Sequence, residues 1–176
     1  MVQTELHGWR SVQGRGPDGA IDSDERVTVL RPVVEQSVDG ARSLGDRYWL
    51  EVRRASRGLL RARRTADGLE LRLLGRGPAV LRFGRPETAL GEGEVSCRYP
   101  ILGGLLARRP GGTISLSQTA GDEPQLRAAV TGFVPRLGLR PGLPDWSGAL
   151  YDRLQRRAHV AISRRYFRRL IDEAQP

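Results

Sequence analysis

The chain has 176 residues, a net charge of +9 at pH 7 and a sequence pI near 11.1. All 29 basic residues are arginine, so this chain cannot supply a Schiff-base lysine or the lysine of a phosphate-binding P-loop. The length and a hydrophobic content of 39% are sufficient for one domain with its own core.

The arginine excess has two interpretations. Lysine and asparagine are both absent and both have A-rich codons, so a G/C-rich genome accounts for the composition. Alternatively, the protein is a basic binding module for an anionic partner, either nucleic acid or a membrane surface. Arginine pairs near the C-terminus, Arg156-Arg157, Arg164-Arg165 and Arg168-Arg169, favour this alternative. The sequence contains no recognisable nucleic-acid-binding motif, which argues against it.

Cysteine and histidine are too rare for most metal and redox sites. Cys97 is the single cysteine, so no internal disulfide can form, and its apolar neighbours predict a buried, inert thiol. The two histidines, His7 and His159, are far apart in sequence, and we predict no bound metal and no cofactor. The N-terminus lacks an apolar signal-peptide core, and the apolar run from Tyr99 to Ala107 is too short to cross a bilayer. We therefore expect a soluble, cytoplasmic protein.

The first 25 residues are predicted to form a flexible arm. Gln13 to Glu25 is rich in Gly, Asp and Ser and has no apolar period, which indicates a loop or a disordered segment. Gly14, Gly16 and Gly19 have the spacing of a dinucleotide-binding fingerprint. Because no strand is predicted before them and Pro17 interrupts them, we interpret this match as coincidental. Residues 26–176 are predicted to be a single α+β domain.

The next segment is predicted to contain a strand, a short helix and a second strand. Arg26 to Pro32 alternates apolar and polar residues, as in a half-buried strand. Ser37 to Asp46 favours a short helix with Ser37 as its N-cap. Arg47 to Arg53 again alternates, which predicts a strand with Trp49 on the same face as the charged residues.

The middle of the chain is predicted to form antiparallel strands separated by Gly and Pro. Ala66-Asp67-Gly68 indicates a hairpin turn, since Asp-Gly tolerates the positive φ angles that tight turns require. The expected strands are Leu59–Arg64, Leu69–Leu73, Val80–Phe83, Val95–Tyr99, Thr113–Thr119 and Leu126–Val130.

Asp145 to Pro176 is predicted to form one long helix with Asp145 as its cap. A line of polar residues at spacings of three or four follows one face of it: Asp152, Gln155, His159, Ser163 and Tyr166. If this face points into a cavity, it could orient a ligand or move a proton. If it points to water, it is an ordinary polar face, which is the more common arrangement.

The cavity interpretation assigns roles to individual residues. Histidine is the side chain suited to acid/base chemistry near neutral pH, so His159 is the candidate acid/base residue, with Asp152 and Tyr166 as its catalytic neighbours. Gln155 and Ser163 would contact the ligand through hydrogen bonds. Trp49 and Trp146 are candidate cavity walls that also bind the ligand, because large aromatic side chains are more often buried than exposed on a stacking surface. These seven residues are the candidate site.

The order of the predicted elements is similar to that of the helix-grip superfamily, which includes lipid-transfer START domains, plant ligand receptors and aromatic polyketide cyclases. The resemblance covers about 150 residues: a first strand, a helical insertion, a run of antiparallel strands and a long terminal helix. It implies a curved antiparallel sheet packed on one long C-terminal helix, a half-barrel with a deep apolar cavity. It also implies binding of a small hydrophobic, aromatic or lipid-like ligand and, if the protein is an enzyme, cyclase- or isomerase-like acid/base chemistry without a metal.

Overall fold

The computed structural model describes the backbone of residues 6–136 and 145–174, and the side chains of 6–136 and 157–174. The fold is α+β, with a curved, unclosed antiparallel sheet packed against the C-terminal helix, as predicted. The strands are β1 (Arg10–Arg15), β2 (Ile21–Thr28), β3 (Leu60–Thr65), β4 (Gly68–Leu73), β5 (Ala79–Phe83), β6 (Glu87–Gly91), β7 (Glu94–Gly103), β8 (Thr113–Thr119) and β9 (Gln125–Phe133). The helices are α1 (Val38–Ala55) and α2 (Asp145–Ala174).

The sheet follows the order β1-β2-β9-β8-β7-β5-β4-β3, and every pair is antiparallel. β7 is long enough to pair with two strands along one side, β6 near its start and β5 near its end. β1 and β3 form the two edges. α1 connects β2, near one edge, to β3 at the other, and packs on the sheet on the way.

Strand alternation places one set of side chains on the concave face of the sheet. On β7, Val95, Cys97, Tyr99 and Ile101 are all buried, with more exposed residues between most of them. The thiol of Cys97 is buried as predicted, and burial raises its pKa. The concave face therefore carries the hydrophobic core, which the two helices cover.

The predicted loop or disordered segment over Gln13 to Glu25 is wrong, because these residues belong largely to the hairpin of β1 and β2. The turn between the strands has Gly16, Pro17, Asp18 and Gly19. The Gly19 N–H donates to the Gly16 carbonyl, and Gly19 has a φ of +79°, a conformation that favours glycine. The glycines thus lie between two paired strands and do not open a helix, in agreement with a coincidental match to the nucleotide fingerprint.

The strand predicted over Arg47 to Arg53 is also wrong, because α1 continues without a break to Ala55. Ser37 caps the helix as predicted, and its side chain accepts a hydrogen bond from the Gly40 N–H. Leu44, Tyr48 and Val52 are buried at intervals of four residues, which is a helical period. Core packing of this stripe outweighs the strand preference of aromatic and β-branched residues.

Candidate functional site

A cavity of about 390 Å³ lies between the concave face of the sheet and the two helices. Its wall comes from α1, α2, the loop after β7 and every strand except β6. The apolar part of the wall consists of Ile21, Trp49, Val52, Leu60, Leu71, Leu81, Phe83, Ile101, Leu106, Ile114, Val130, Phe133, Ala158 and Ile162. The opposite end of the concave face is filled by side chains such as Leu116, Leu126 and Phe167, which are fully buried.

Polar residues of the wall are gathered on one side, which we call the polar corner: Gln13, Ser23, Tyr48 and His159. Gln13 and Ser23 are register partners across the β1–β2 pair. Glu25 follows Ser23 on the same face of β2 and lies behind His159. No arginine is found among the described residues that line the cavity, although the chain has a large excess of basic residues.

Glu25 and His159 form a buried pair at this corner. The Nε2 atom of His159 lies 2.9 Å from Oε2 of Glu25, and the Glu25 side chain is 0% exposed while that of His159 is 16% exposed. The Ser11 hydroxyl donates to the other carboxylate oxygen, Oε1, at 3.3 Å. A buried carboxylate is stable only when such partners compensate for lost hydration, so the two contacts explain how Glu25 is accommodated.

Tyr48 shares the electrostatic environment of Glu25. Its side chain is buried, and burial together with the nearby Glu25 charge raises the pKa of its hydroxyl far above the ordinary value. The Tyr48 hydroxyl therefore stays protonated at neutral pH and can act as a hydrogen-bond donor. The polar corner thus contains one donor phenol, the imidazole of His159 with Glu25 behind it, and the side chains of Gln13 and Ser23.

Trp49 lies in the cavity wall, as the candidate role for this residue requires, although it is on a helix rather than on the predicted strand. Its ring packs against Phe83 at a centroid distance of 4.9 Å and against the edges of Tyr48 and Tyr99 at 5.3 and 5.2 Å. Such aromatic clusters hold their members in defined orientations. The aromatic wall is therefore rigidly positioned by the core beneath it.

The polar line on α2 faces inward wherever its side chains are described. His159 is half-buried, and Ser163 and Tyr166 are buried, so the expectation that this face points to water is wrong for these three residues. The reason is that α2 packs this face against α1 and β2. Of the three, His159 lines the cavity.

Ser163 and Tyr166 lie between the helices and the sheet rather than in the cavity wall. The Tyr166 hydroxyl donates to the Leu44 carbonyl at 3.0 Å, and burial raises the pKa of this phenol. The Ser163 hydroxyl is buried and has no hydrogen-bond partner among the described residues. Their sequence-predicted companions Trp146, Asp152 and Gln155 have side chains outside the described residues.

Glu25, Gln13, Ser23 and Tyr48 were absent from the residues that the sequence nominated. Ile21, Ser23, Glu25 and Val27 alternate on one strand face, and a carboxylate that shares its face with Ile21 and Val27 indicates a buried acid. That signal was present in the sequence, but the segment was interpreted as a loop. Tyr48 was placed on a strand and so was not connected with the cavity.

Many of the described arginines form ion pairs with acids of the same chain. Arg26 and Arg127 both contact Asp24. Further pairs are Arg64 with Asp46, Arg72 with Glu70, Arg47 with Glu173 and Arg169 with Glu51. Within the described part of the chain, no three His, Cys, Asp or Glu side chains come together in a way that could hold a metal ion.

Comparison of the chain with protein-family models, curated proteins and solved structures found no match. In the parts of α1 and α2 that the structure describes, neither helix has an apolar stretch long enough to span a bilayer.

Proposed function

We propose that the protein binds a small hydrophobic ligand, aromatic or lipid-like, in the cavity between the sheet and the two helices. The observation that supports this proposal most strongly is the cavity itself. Its volume of about 390 Å³ falls within the range of small-molecule sites, roughly 300–1,000 Å³. Its wall is aliphatic and aromatic except at the polar corner, the composition typical of sites that orient an apolar molecule through a few polar contacts.

The arrangement of elements also supports a relationship to the helix-grip superfamily, which remains part of the proposal. The order of a strand, a helical insertion, a run of antiparallel strands and a long terminal helix is the order on which that resemblance depends. β1 precedes the first strand of this series and adds a new edge to the sheet. Through Gln13, β1 also contributes to the cavity wall, which the resemblance does not imply.

The proposal is tested by titration with N-phenyl-1-naphthylamine, a neutral dye whose fluorescence increases in an apolar environment. We expect saturable binding with about one dye per chain. In the variant Val130→Trp, we expect affinity to fall by at least about tenfold, which corresponds to ~1.4 kcal/mol. The reason is that strand side chains stand nearly perpendicular to the sheet, so an indole at position 130 must project into the cavity.

The matched control is Val12→Trp, since Val12 is also a strand valine but is exposed and outside the cavity wall. This variant is expected to bind the dye like the unmodified protein. If no dye binds, or if both tryptophan variants bind it equally well, the proposed function is wrong. Circular dichroism of each variant establishes that it has folded before its affinity is compared.

The salt dependence of binding distinguishes this proposal from the basic-module alternative. A neutral ligand in an apolar cavity is expected to bind with nearly constant affinity as salt rises. Binding to an anionic polymer or membrane surface weakens steeply with salt, because counterions are released on association. Retention on heparin that is strong at low salt and lost steeply as salt rises, together with absence of dye binding, would favour the basic-module alternative.

A further inference from the structure

The polar corner makes the cavity asymmetric, and this asymmetry bears on the class of ligand. One side of the wall presents aliphatic and aromatic carbon, and the other presents Gln13, Ser23, Tyr48 and His159. We infer that the polar corner selects a ligand with an aromatic apolar body and one neutral, weakly acidic hydroxyl, which donates its hydrogen bond to Nδ1 of His159. This inference rests on the proposed function, because it names the ligand class of the same cavity.

The Glu25–His159 contact determines which nitrogen of the imidazole is free to accept. An ionised carboxylate can only accept hydrogen bonds, so with Glu25 ionised the proton between the two groups belongs to Nε2 of His159. In neutral imidazole the other nitrogen, Nδ1, then carries a lone pair. Glu25 is the hydrogen-bond partner that the described part of the chain provides for this ring. A ligand hydroxyl would supply the missing donor to Nδ1.

The same carboxylate disfavours an anionic ligand. Glu25 is fully buried beside the corner, and the described cavity wall contains no arginine that could neutralise a second negative charge. If His159 becomes protonated, its positive charge is already balanced by Glu25, at 2.9 Å. Among the described residues, a carboxylate ligand would therefore find no counter-charge of its own, which is unfavourable in an apolar cavity.

A purely apolar ligand is disfavoured for a different reason. It would cover the polar corner and remove water from Nδ1 of His159 without replacing the lost hydrogen bond, and an unpaired buried acceptor is costly. A hydroxyl group satisfies the acceptor and adds no charge. A phenol-type hydroxyl also lies on a flat ring, which suits a wall built around Trp49 and Phe83.

The test uses three naphthalenes that share one ring system: 2-naphthol, 2-methoxynaphthalene and 2-naphthoate. Each is titrated in the same buffer against protein that carries bound N-phenyl-1-naphthylamine, and displacement of the dye gives its affinity. We expect 2-naphthol to bind about five- to tenfold more tightly than its methyl ether, the effect of one neutral hydrogen bond. We expect 2-naphthoate to bind most weakly.

Three variants test which residues cause the preference for 2-naphthol. His159→Phe removes the acceptor and is expected to give 2-naphthol and its ether equal affinities. His7→Phe changes the other histidine, which is exposed, and is expected to preserve the difference. Glu25→Gln removes the buried charge while nearly preserving the shape of the side chain. This variant is expected to reduce the difference in affinity between 2-naphthoate and 2-naphthol.

The failure of this inference is distinguishable from failure of the proposed function. If the dye binds but the unmodified protein holds 2-naphthol and 2-methoxynaphthalene equally well, the inferred ligand class is wrong and the cavity remains a ligand site. If neither the dye nor any naphthalene binds, the proposed function fails. The comparison of ligands on the unmodified protein decides the matter even if His159→Phe does not fold.

Discussion

The hydroxyl of Tyr166 on α2 donates a hydrogen bond to the backbone carbonyl of Leu44 on α1, with an oxygen–oxygen distance of 3.0 Å. The two residues are 122 positions apart in sequence, so the bond joins the last helix to the first. Tyr166 also packs edge-on against Tyr48, with ring centroids 5.5 Å apart. These contacts make Tyr166 part of the packing between the helices.

The variant Tyr166→Phe is expected to lower the free energy of unfolding by about 1 kcal/mol, the typical net contribution of one neutral hydrogen bond. The ring packing survives in this variant, and dye binding in the cavity should be unchanged. Urea denaturation and dye titration of the same preparation measure both quantities. Loss of dye binding at unchanged stability would contradict this structural role and indicate that Tyr166 contacts the ligand.

Gly45 allows α1 to approach β7 closely. A Cβ atom at this position would overlap the Tyr99 hydroxyl and come within 3.0 Å of its ring carbon Cζ. Replacing a helical glycine with alanine gains up to about 1 kcal/mol in helix propensity, while overpacking a core costs about 1–3 kcal/mol. Because Tyr99 is buried and its ring is rigid, we expect overpacking to dominate, so that Gly45→Ala is destabilising.

Two further variants establish the cause of that loss. The cost of Gly45→Ala should shrink in a Tyr99→Phe background, since the overlapping hydroxyl is then absent. Gly14→Ala is the control, because a Cβ at Gly14 would meet no atom within 4 Å. The four melting temperatures of the Gly45–Tyr99 double-mutant cycle provide the measurement, and strictly additive effects would contradict the steric explanation.

Gln118 holds the segment that leads into α1. Its side-chain oxygen accepts hydrogen bonds from the N–H groups of Val33 and Val34, at 2.6 and 3.0 Å, and its amide donates to the Val34 carbonyl at 2.8 Å. Gln118→Ala leaves these backbone groups without their partner, and we expect unfolding free energy to fall by about 2–4 kcal/mol. Gln125→Ala, at a half-buried glutamine of the next strand, should cost far less. Similar losses in both variants would show that the three bonds contribute little.

Asp24 links β2 to β9 through Arg127 and also pairs with Arg26. The hydrogen bond from Arg26, followed by the interactions with Arg127, outweighs partial burial and holds the pKa of Asp24 well below its ordinary value of 3.8. The folded state therefore favours the ionised form. Its stabilising effect is complete above the pKa of the unfolded chain and is lost as pH falls below it.

Asp24→Asn is accordingly expected to reduce unfolding free energy by about 1 kcal/mol near pH 7, after allowance for solvent screening. The difference between the two proteins should shrink below about pH 4, where the aspartate of the unfolded chain becomes protonated. Glu92→Gln changes the net charge by the same amount at an exposed turn and serves as control. If the difference in unfolding free energy between the two proteins stays constant from pH 7 to low pH, the proposed link between Asp24 ionisation and stability is wrong.

Sequence periodicity predicted the elements whose contacts are local. The long C-terminal helix, the Ser37 cap and the Asp67-Gly68 hairpin all follow from residues that are near one another in the chain. The predicted strands Val95–Tyr99 and Thr113–Thr119 likewise lie within β7 and β8. Each of these signals depends on backbone preferences that a short peptide already has.

Predictions from local sequence pattern were wrong where contacts between residues distant in the chain determine the secondary structure. The polar sequence of the β1–β2 hairpin is by itself typical of a loop. Its strand structure depends on the pairing of β2 with β9 and on α2, which packs against β2. The Tyr48–Val52 stretch alternates like a strand, yet it forms part of α1, and its helical stripe is buried against the sheet. β6 was not predicted because it is short and mostly exposed, so its sequence has no apolar alternation. Its strand structure depends on hydrogen bonding to β7.

The sequence by itself determined the α+β class, the long terminal helix and the presence of a histidine on a polar line of that helix. Only the tertiary structure decided that the line faces inward and that His159 meets Glu25, 134 residues earlier in the chain. The physical reason is that a buried carboxylate is tolerable only beside a compensating partner, and sheet pairing rather than local preference brings these partners together. The empty volume beside them is likewise a property of curvature and packing, which no single segment encodes.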